Sequence, residues 1–201
     1  MSEAMTKVIG ITGGIASGKS TAVALIRQAG YQVIDADQVV HELQKKGGKL
    51  YQVLLETFGQ DILLPSGQLD RPKLAELLFA HSENMAKSSQ QQNAIIREAL
   101  AKQKEELSQT EAIFFMDLPL LVELGYQDWF DAIWLLYVDE ETQLKRLMKR
   151  NQLTELAARQ RIASQLPMSQ KRAYADLVID NTGDFQALET QISKALHDLE
   201  A

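Results

Sequence analysis

The chain has 201 residues, 45% of them hydrophobic and 24% charged, which suits one globular core with room for a subdomain. A net charge of −6 argues against a general binder of nucleic acid or of a membrane surface, both of which need a positive field, so any phosphate site has to be basic only locally. The absence of cysteine excludes disulfides, thiolate catalysis and cysteine-ligated zinc, and apolar runs such as Ala132 to Val138 fall far short of the roughly 20 residues of a membrane span.

Met5 lies just before the first strand, and residues 1–4 are expected to be an extended start without structure. No charged-then-apolar leader stands before that strand, so a cytoplasmic protein is expected. Val8, Ile9 and Ile11 run into a glycine-rich turn, and Ala22, Val23, Leu25 and Ile26 recur beyond it at helical spacing, which reads as strand, loop, helix. The spacing Gly13-x-x-x-x-Gly18-Lys19-Ser20 is that of a phosphate-binding P-loop. Here Gly13, Gly14, Ile15, Ala16, Ser17, Gly18, Lys19, Ser20 and Thr21 supply backbone N–H groups and a helix N-terminus, an anion cradle that no side chain crowds. Lys19 reaches the β and γ phosphates as a point charge, and the Ser20 hydroxyl is placed to ligate Mg²⁺.

The helix is expected to stop at Gly30, and Tyr31 to Ala36 reads as a short second strand leading into Asp35-Ala36-Asp37. Ligands of open α/β sheets bind outside the carboxyl ends of the strands, which turns both acids toward the P-loop cleft. A carboxylate there can take a proton from an attacking hydroxyl or hold Mg²⁺ through water; alternatively Asp37 only caps the helix carrying Val39, Val40 and Leu43. His41 reads as an exposed helix residue in a local pair. Residues 38–111 show no convincing strand, only helices over Gln38 to Lys46, Lys49 to Phe58, Pro72 to Ala80 and about Ser82 to Ser108, with Gln90 to Gln92 on a solvated face. A parallel crossover needs a single helix, so this insert has to project from the sheet, either to hold a second substrate or as a stabilising appendage.

Ala112 to Asp117 reads as a buried strand ending in an acid, as a Walker-B strand does, with Asp117 able to hold the water shell of a metal. Leu118-Pro119-Leu120-Leu121 opens a short helix or turn, residues 132–138 form a fourth strand, and Asp139 to Arg150 is a helix with Leu144, Leu147 and Met148 as its core stripe. Its polar face carries Lys145, Arg146, Lys149 and Arg150. Glu141 can pair with Lys145, yet like charges at i,i+4 remain, and an anion would relieve them. Arg159, Arg161, Lys171 and Arg172 follow on a hairpin-like stretch, giving a candidate lid over phosphates. Leu177 to Asn181 reads as a fifth strand, and Thr182-Gly183 turns into a last helix with Phe185, Leu188, Ile192 and Leu196. The fold class is α/β, a five-stranded parallel sheet flanked by helices, without internal repeats.

Several stretches, in register along nearly the whole chain, carry a closer resemblance. They are Ile11-Thr12-Gly13-Gly14-Ile15, Asp35-Ala36-Asp37, Phe58-Gly59 with Asp61-Ile62-Leu63, and Gly67-Gln68-Leu69-Asp70-Arg71 before Leu74. Pro119-Leu120-Leu121 with Glu123, Arg146 to Arg150, and Ala175-Asp176-Leu177-Val178-Ile179-Asp180-Asn181 complete the set. In these the chain resembles the dephospho-CoA kinases. The resemblance implies a P-loop NTPase fold of the nucleoside-monophosphate-kinase kind in one domain, with core 5–37, 111–140 and 174–201, a helical substrate-binding insert 38–110 and a lid 141–173. It implies ATP and Mg²⁺, and transfer of the γ-phosphate to the 3′-hydroxyl of the dephospho-CoA ribose, the last step of coenzyme A synthesis. Carried over residue by residue, Asp37 matches the general base, Lys19 and Ser20 the ATP and Mg²⁺ contacts, Arg150 a lid arginine on the phosphates, and Asn181 the position that closes over the nucleotide base. The chain departs from the family at Asn93-Ala94, which precedes Ile95-Ile96-Arg97 where His-Pro is common. A monomer or weak homo-oligomer is expected. The alternatives are a kinase for another small hydroxyl or nucleoside monophosphate, and a nucleotide-switched binding protein of the GTPase type. The second needs an Asn-Lys-x-Asp segment, and its only Asp-x-x-Gly match, Asp180 to Gly183, follows the fifth strand.

Overall fold

An apolar run that stays buried to its last residue belongs in the middle of a sheet covered on both faces, and Val8 to Gly13 is such a run. In chain order the elements are β1 (Lys7–Gly13), α1 (Lys19–Gln28), β2 (Val33–Asp35), α2 (Ala36–Leu43), α3 (Lys49–Phe58), α4 (Arg71–Ala80) and α5 (Ser82–Ser108). They continue with β3 (Ile113–Asp117), β4 (Ala132–Tyr137), α6 (Glu140–Asn151), α7 (Glu155–Ala163), α8 (Met168–Arg172), β5 (Leu177–Asp180) and α9 (Phe185–Glu200). This computed structural model describes residues 6–80 and 82–200, with 75, 76, 78–80 and 82–88 described by their backbone alone. Residues 1–4, expected as an unstructured start, lie outside the described residues.

The chain divides into two compact units, one running up to Ile34 and resuming at Leu107, the other comprising Asp35–Glu106. In the larger unit the sheet has the order β2-β3-β1-β4-β5, with β1 parallel to both β3 and β4. On one face Ile9, Ile11, Phe115, Trp134, Leu136 and Ile179 pack against Ala22, Val23 and Ile26 of α1 and Leu188, Ile192 and Leu196 of α9. The other face has room for no side chain at Gly10, because a Cβ there would lie 2.7 Å from Leu121 Cδ1 and 2.9 Å from the Phe130 ring. The segment after β3 therefore closes directly onto the β1 backbone.

Two aspartates set the register of the far strands by one device. Asp131, just before β4, accepts from the Val8 N–H at 2.7 Å and donates its own N–H to the Val8 carbonyl at 2.9 Å. Asp176, just before β5, repeats this on Ile133 at 2.7 Å and 2.9 Å. A carboxylate thus fills the acceptor place that the ladder cannot supply at its first rung.

The smaller unit has a core of Tyr51, Leu54, Ile62, Leu69 and Leu74. The Tyr51 hydroxyl donates to the Gly67 carbonyl at 2.8 Å, and Lys49 pairs with Glu98 at 3.1 Å. Beyond Asp35, which ends β2, its described residues are helical apart from turns and one antiparallel bridge, Leu63 with Leu69. The second strand ends at Asp35, one residue short of the expected Ala36, because Asp35 already caps α2 and the helix starts at once. The helices after β4 pack within the larger unit: Leu144 and Leu147 of α6 and Ala158 of α7 form a cluster with Ile15 and Ala16.

Candidate active site

β1 delivers its carboxyl end into the glycine-rich loop, and α1 starts at Lys19. Gly18 caps α1 in the left-handed region, φ 83° and ψ 18°, and a Cβ on it would lie 2.1 Å from Asn181 Nδ2, so both conformation and space require glycine. Ala16 is also left-handed, φ 60°, at a cost of about 1–2 kcal/mol that the surroundings must repay. They do so with side chains from distant elements. Asn181 Nδ2 donates to the Ser17 carbonyl at 2.8 Å, Gln143 Nε2 donates to the Ile15 carbonyl at 2.9 Å, and Gln165 Oε1 accepts from the Ile15 N–H at 2.9 Å. Within the loop the Ser17 N–H donates to the Gly14 carbonyl at 3.1 Å. The N–H groups of Gly18, Lys19 and Ser20 have no acceptor among the described residues. They are the orphan donors of a helix start, at the positive end of its dipole, and suit an anion.

The Lys19 ammonium bonds to Asp117 Oδ1. Asp117 stands opposite Ile11 in the parallel register, close to the Gly13 end of β1, and is 6% exposed. An ammonium carries three donors, so this bond orients Lys19 and leaves two for a ligand. Ser20 and Thr21 are exposed on the first turn of α1.

In the smaller unit the two carboxylates of Asp35-Ala36-Asp37 have separate duties. Asp35 is the N-cap of α2 and accepts from the Gln38 N–H at 3.0 Å. Asp37, in the first turn, is exposed and bonds to none of the described residues. Helix capping is therefore the work of Asp35. His41 is exposed as expected, but its partner is not local: Arg71 Nη2 lies 2.5 Å from His41 Nδ1, and since arginine only donates, that nitrogen is the acceptor.

The cations after β4 also separate. Lys145 pairs with Glu141 on α6, and Arg159 pairs with Glu155 at 2.8 Å and with Glu140 at 3.5 Å. Lys171, counted from sequence among the lid cations, is fully buried, 2.8 Å from Glu123 and 3.0 Å from the Pro119 carbonyl, and so faces inward instead of toward a ligand. Arg150 is exposed, with Nε donating to Asn151 Oδ1 at 2.9 Å and its terminal nitrogens uncommitted among the described residues. Asp139 caps α6, and the Thr142 hydroxyl and N–H hold its carboxyl below the ordinary value of 3.8. A cavity of about 720 Å³ opens between β4, α6, α7 and α8, with Gln143, Gln165 and Met168 in its wall. Neither Gln143 nor Gln165 announces itself in the sequence, since each sits among polar residues of a helix or its end and meets Ile15 only through the fold.

The family model of dephospho-CoA kinase matches residues 7–187. A dephospho-CoA kinase of Streptococcus pyogenes serotype M1 is 66% identical over 189 residues, which is 94% of this chain and 96% of that protein. Among solved structures, TT1252 from Thermus thermophilus superposes with a TM-score of 0.81 at 32% identity, covering 97% of this chain and 98% of the other. Dephospho-CoA kinase from Campylobacter jejuni does so with 0.75 at 27% identity, again covering 97% and 98%.

Proposed function

The chain belongs to the dephospho-CoA kinase family, and from that premise we propose how its residues share the reaction. The activity is ATP-dependent phosphorylation of dephospho-CoA to coenzyme A, the last step of its synthesis. In the transfer a bond forms between the ribose 3′-oxygen and the γ-phosphorus while the bond from that phosphorus to the bridging oxygen of ADP breaks. The hydroxyl proton passes to the Asp37 carboxylate. What supports Asp37 is its freedom: it is exposed and uncommitted among the described residues, while its neighbour Asp35 caps the helix.

Phosphoryl transfer has a loose transition state, so the protein contributes mainly position and charge. The N–H groups of Gly18, Lys19 and Ser20 and the two spare donors of Lys19 hold the phosphates, with Asp117 aiming the ammonium. The Ser20 hydroxyl fits Mg²⁺, being a hard oxygen donor exposed in the first turn of α1; in nucleotide sites this ion takes one or two side-chain oxygens together with phosphates and water. When bound, Mg²⁺ neutralises phosphate charge. Arg150 adds charge from the lid region, and Asn181, whose amide is committed to Ser17, contributes through the loop it holds. The helices of residues 38–110 hold the acceptor. The same reading includes a cytoplasmic place of action, a monomer or weak homo-oligomer, and no nucleic-acid partner for a chain of charge −6. No described helix is long and apolar enough to cross a membrane.

The observation that carries this reading is the cradle itself: three N–H groups at a helix start, unclaimed among the described residues, beside a lysine aimed by a buried aspartate. The test is incubation of the protein and Mg²⁺-ATP with dephospho-CoA, AMP or CMP, following ADP and the mass of each acceptor. One phosphate gained by dephospho-CoA alone is expected; transfer to a nucleoside monophosphate, or ATP hydrolysis alone, contradicts it.

A further inference from the structure

Ile15 is held at both of its backbone polar groups, the N–H in the peptide it shares with Gly14 and the carbonyl in the peptide it shares with Ala16. Gln165 Oε1 takes its N–H at 2.9 Å, and Gln143 Nε2 gives to its carbonyl at 2.9 Å. The next residue, Ala16, is in the left-handed region, a conformation that persists only where neighbours enforce it. With Gln165 fixing the peptide before Ile15 and Gln143 the peptide after it, the chain enters Ala16 in one orientation, which sets the direction of the N–H groups beyond it.

Gln165 is in turn fixed by its own surroundings. The Leu166 N–H donates to Glu123 Oε1 at 3.2 Å, and the same oxygen receives buried Lys171 at 2.8 Å. Lys171 also donates to the Pro119 carbonyl at 3.0 Å, which Thr12 of β1 meets from the other side at 3.2 Å. Met168 fills the space above Gly14, where a Cβ would lie 2.9 Å from its sulfur. The segment joining α7 to α8 is thus tied to the end of β1, to the residues just past Asp117 and to the phosphate loop.

We propose that Gln165 is a positioning residue for the nucleotide, acting through the Ile15 N–H and itself anchored by the Glu123–Lys171 pair. A glutamine that only stabilised the fold would affect both substrates alike. This one acts on the ATP side, because its contact lies within the phosphate loop. The inference rests on the kinase reading above for its turnover measurements, but nucleotide binding tests it independently of the acceptor.

The experiment compares the parent with Gln165→Met, similar in size but without an acceptor, and with Gln165→Ala, which cannot clash and covers a failure of the first to fold. Steady-state kinetics would give kcat and the KM of each substrate, and calorimetry would give Mg²⁺-ATP affinity without acceptor. A tenfold or larger rise in the ATP KM, a matching loss of ATP affinity, and a dephospho-CoA KM within threefold of the parent are expected, with the thermal midpoint nearly unchanged. ATP KM and affinity within twofold of the parent would overturn the proposal. So would an equal loss for both substrates that follows the folded fraction. Failure of dephospho-CoA to react with the parent would sink the acceptor reading while leaving the calorimetric comparison decisive.

Discussion

Asp35 and Asp37 are two residues apart and chemically identical, and the cap of α2 that the sequence assigns to Asp37 as the alternative to a catalytic role is in fact Asp35. The structure separates them by geometry, because an N-cap needs extended backbone and Asp35 has it, φ −102° and ψ 110°, while Asp37 is already helical. Arg150 and Lys171 show the opposite difficulty. Both are cations beyond β4, but one is exposed and the other fully buried against Glu123. The sequence pattern cannot tell a cation waiting for an anion from one already paired, because the pairing partner is 48 positions away (171 − 123). For Arg150→Ala the account expects an unchanged thermal midpoint and turnover lower by about two decades or more, as for an arginine acting on transferring phosphate. A near-normal rate would remove Arg150 from the chemistry. Asp139 carries a pH signature. Its carboxyl is held below 3.8 by Thr142, so its contribution to stability is complete above the unfolded value and disappears as pH falls through the folded one. Urea titrations of parent and Asp139→Asn should therefore differ at pH 6 and converge toward pH 3; a constant difference would refute the link.

At the scale of elements, local signals reported well and remote ones did not. The P-loop is a contiguous pattern with its strand and helix on either side, and it folds as read, through Gly18 into α1. The lengths of α3 and α5 also follow directly from periodicity and breakers. What holds the loop is invisible to such reading, since Gln143, Gln165 and Asn181 reach it across sequence separations of 128, 150 and 164. Asp176 is an intermediate case: the resemblance singled it out as a motif residue, but only the fold shows why, since it supplies the acceptor for the first rung of β5. Asp176→Ala leaves the Ile133 N–H without that acceptor and should cost about 1–3 kcal/mol, lowering the midpoint by roughly 2–4 °C per kcal/mol in a chain of this size. Thermal melts would check this, and a variant as stable as the parent would show that water replaces the carboxylate without loss.

At the scale of the whole chain, five parallel strands and a helical insert were evident from the alternation of patterns, but the strand order was not. That β1 lies between β3 and β4 is fixed by its ladders to both, which no periodicity encodes. Nor does periodicity show that the smaller unit begins at Asp35, the last residue of β2. The proposed phosphate cradle lies in the larger unit and the proposed base, Asp37, in the smaller, so the two proposed roles can be measured apart. The most direct measurement is Asp37→Asn, with Mg²⁺-ATP affinity by calorimetry and transfer to dephospho-CoA read on the same preparation. The account predicts ATP affinity within about twofold of the parent and transfer reduced roughly 10²–10⁴-fold. Transfer at a near-parent rate would contradict it.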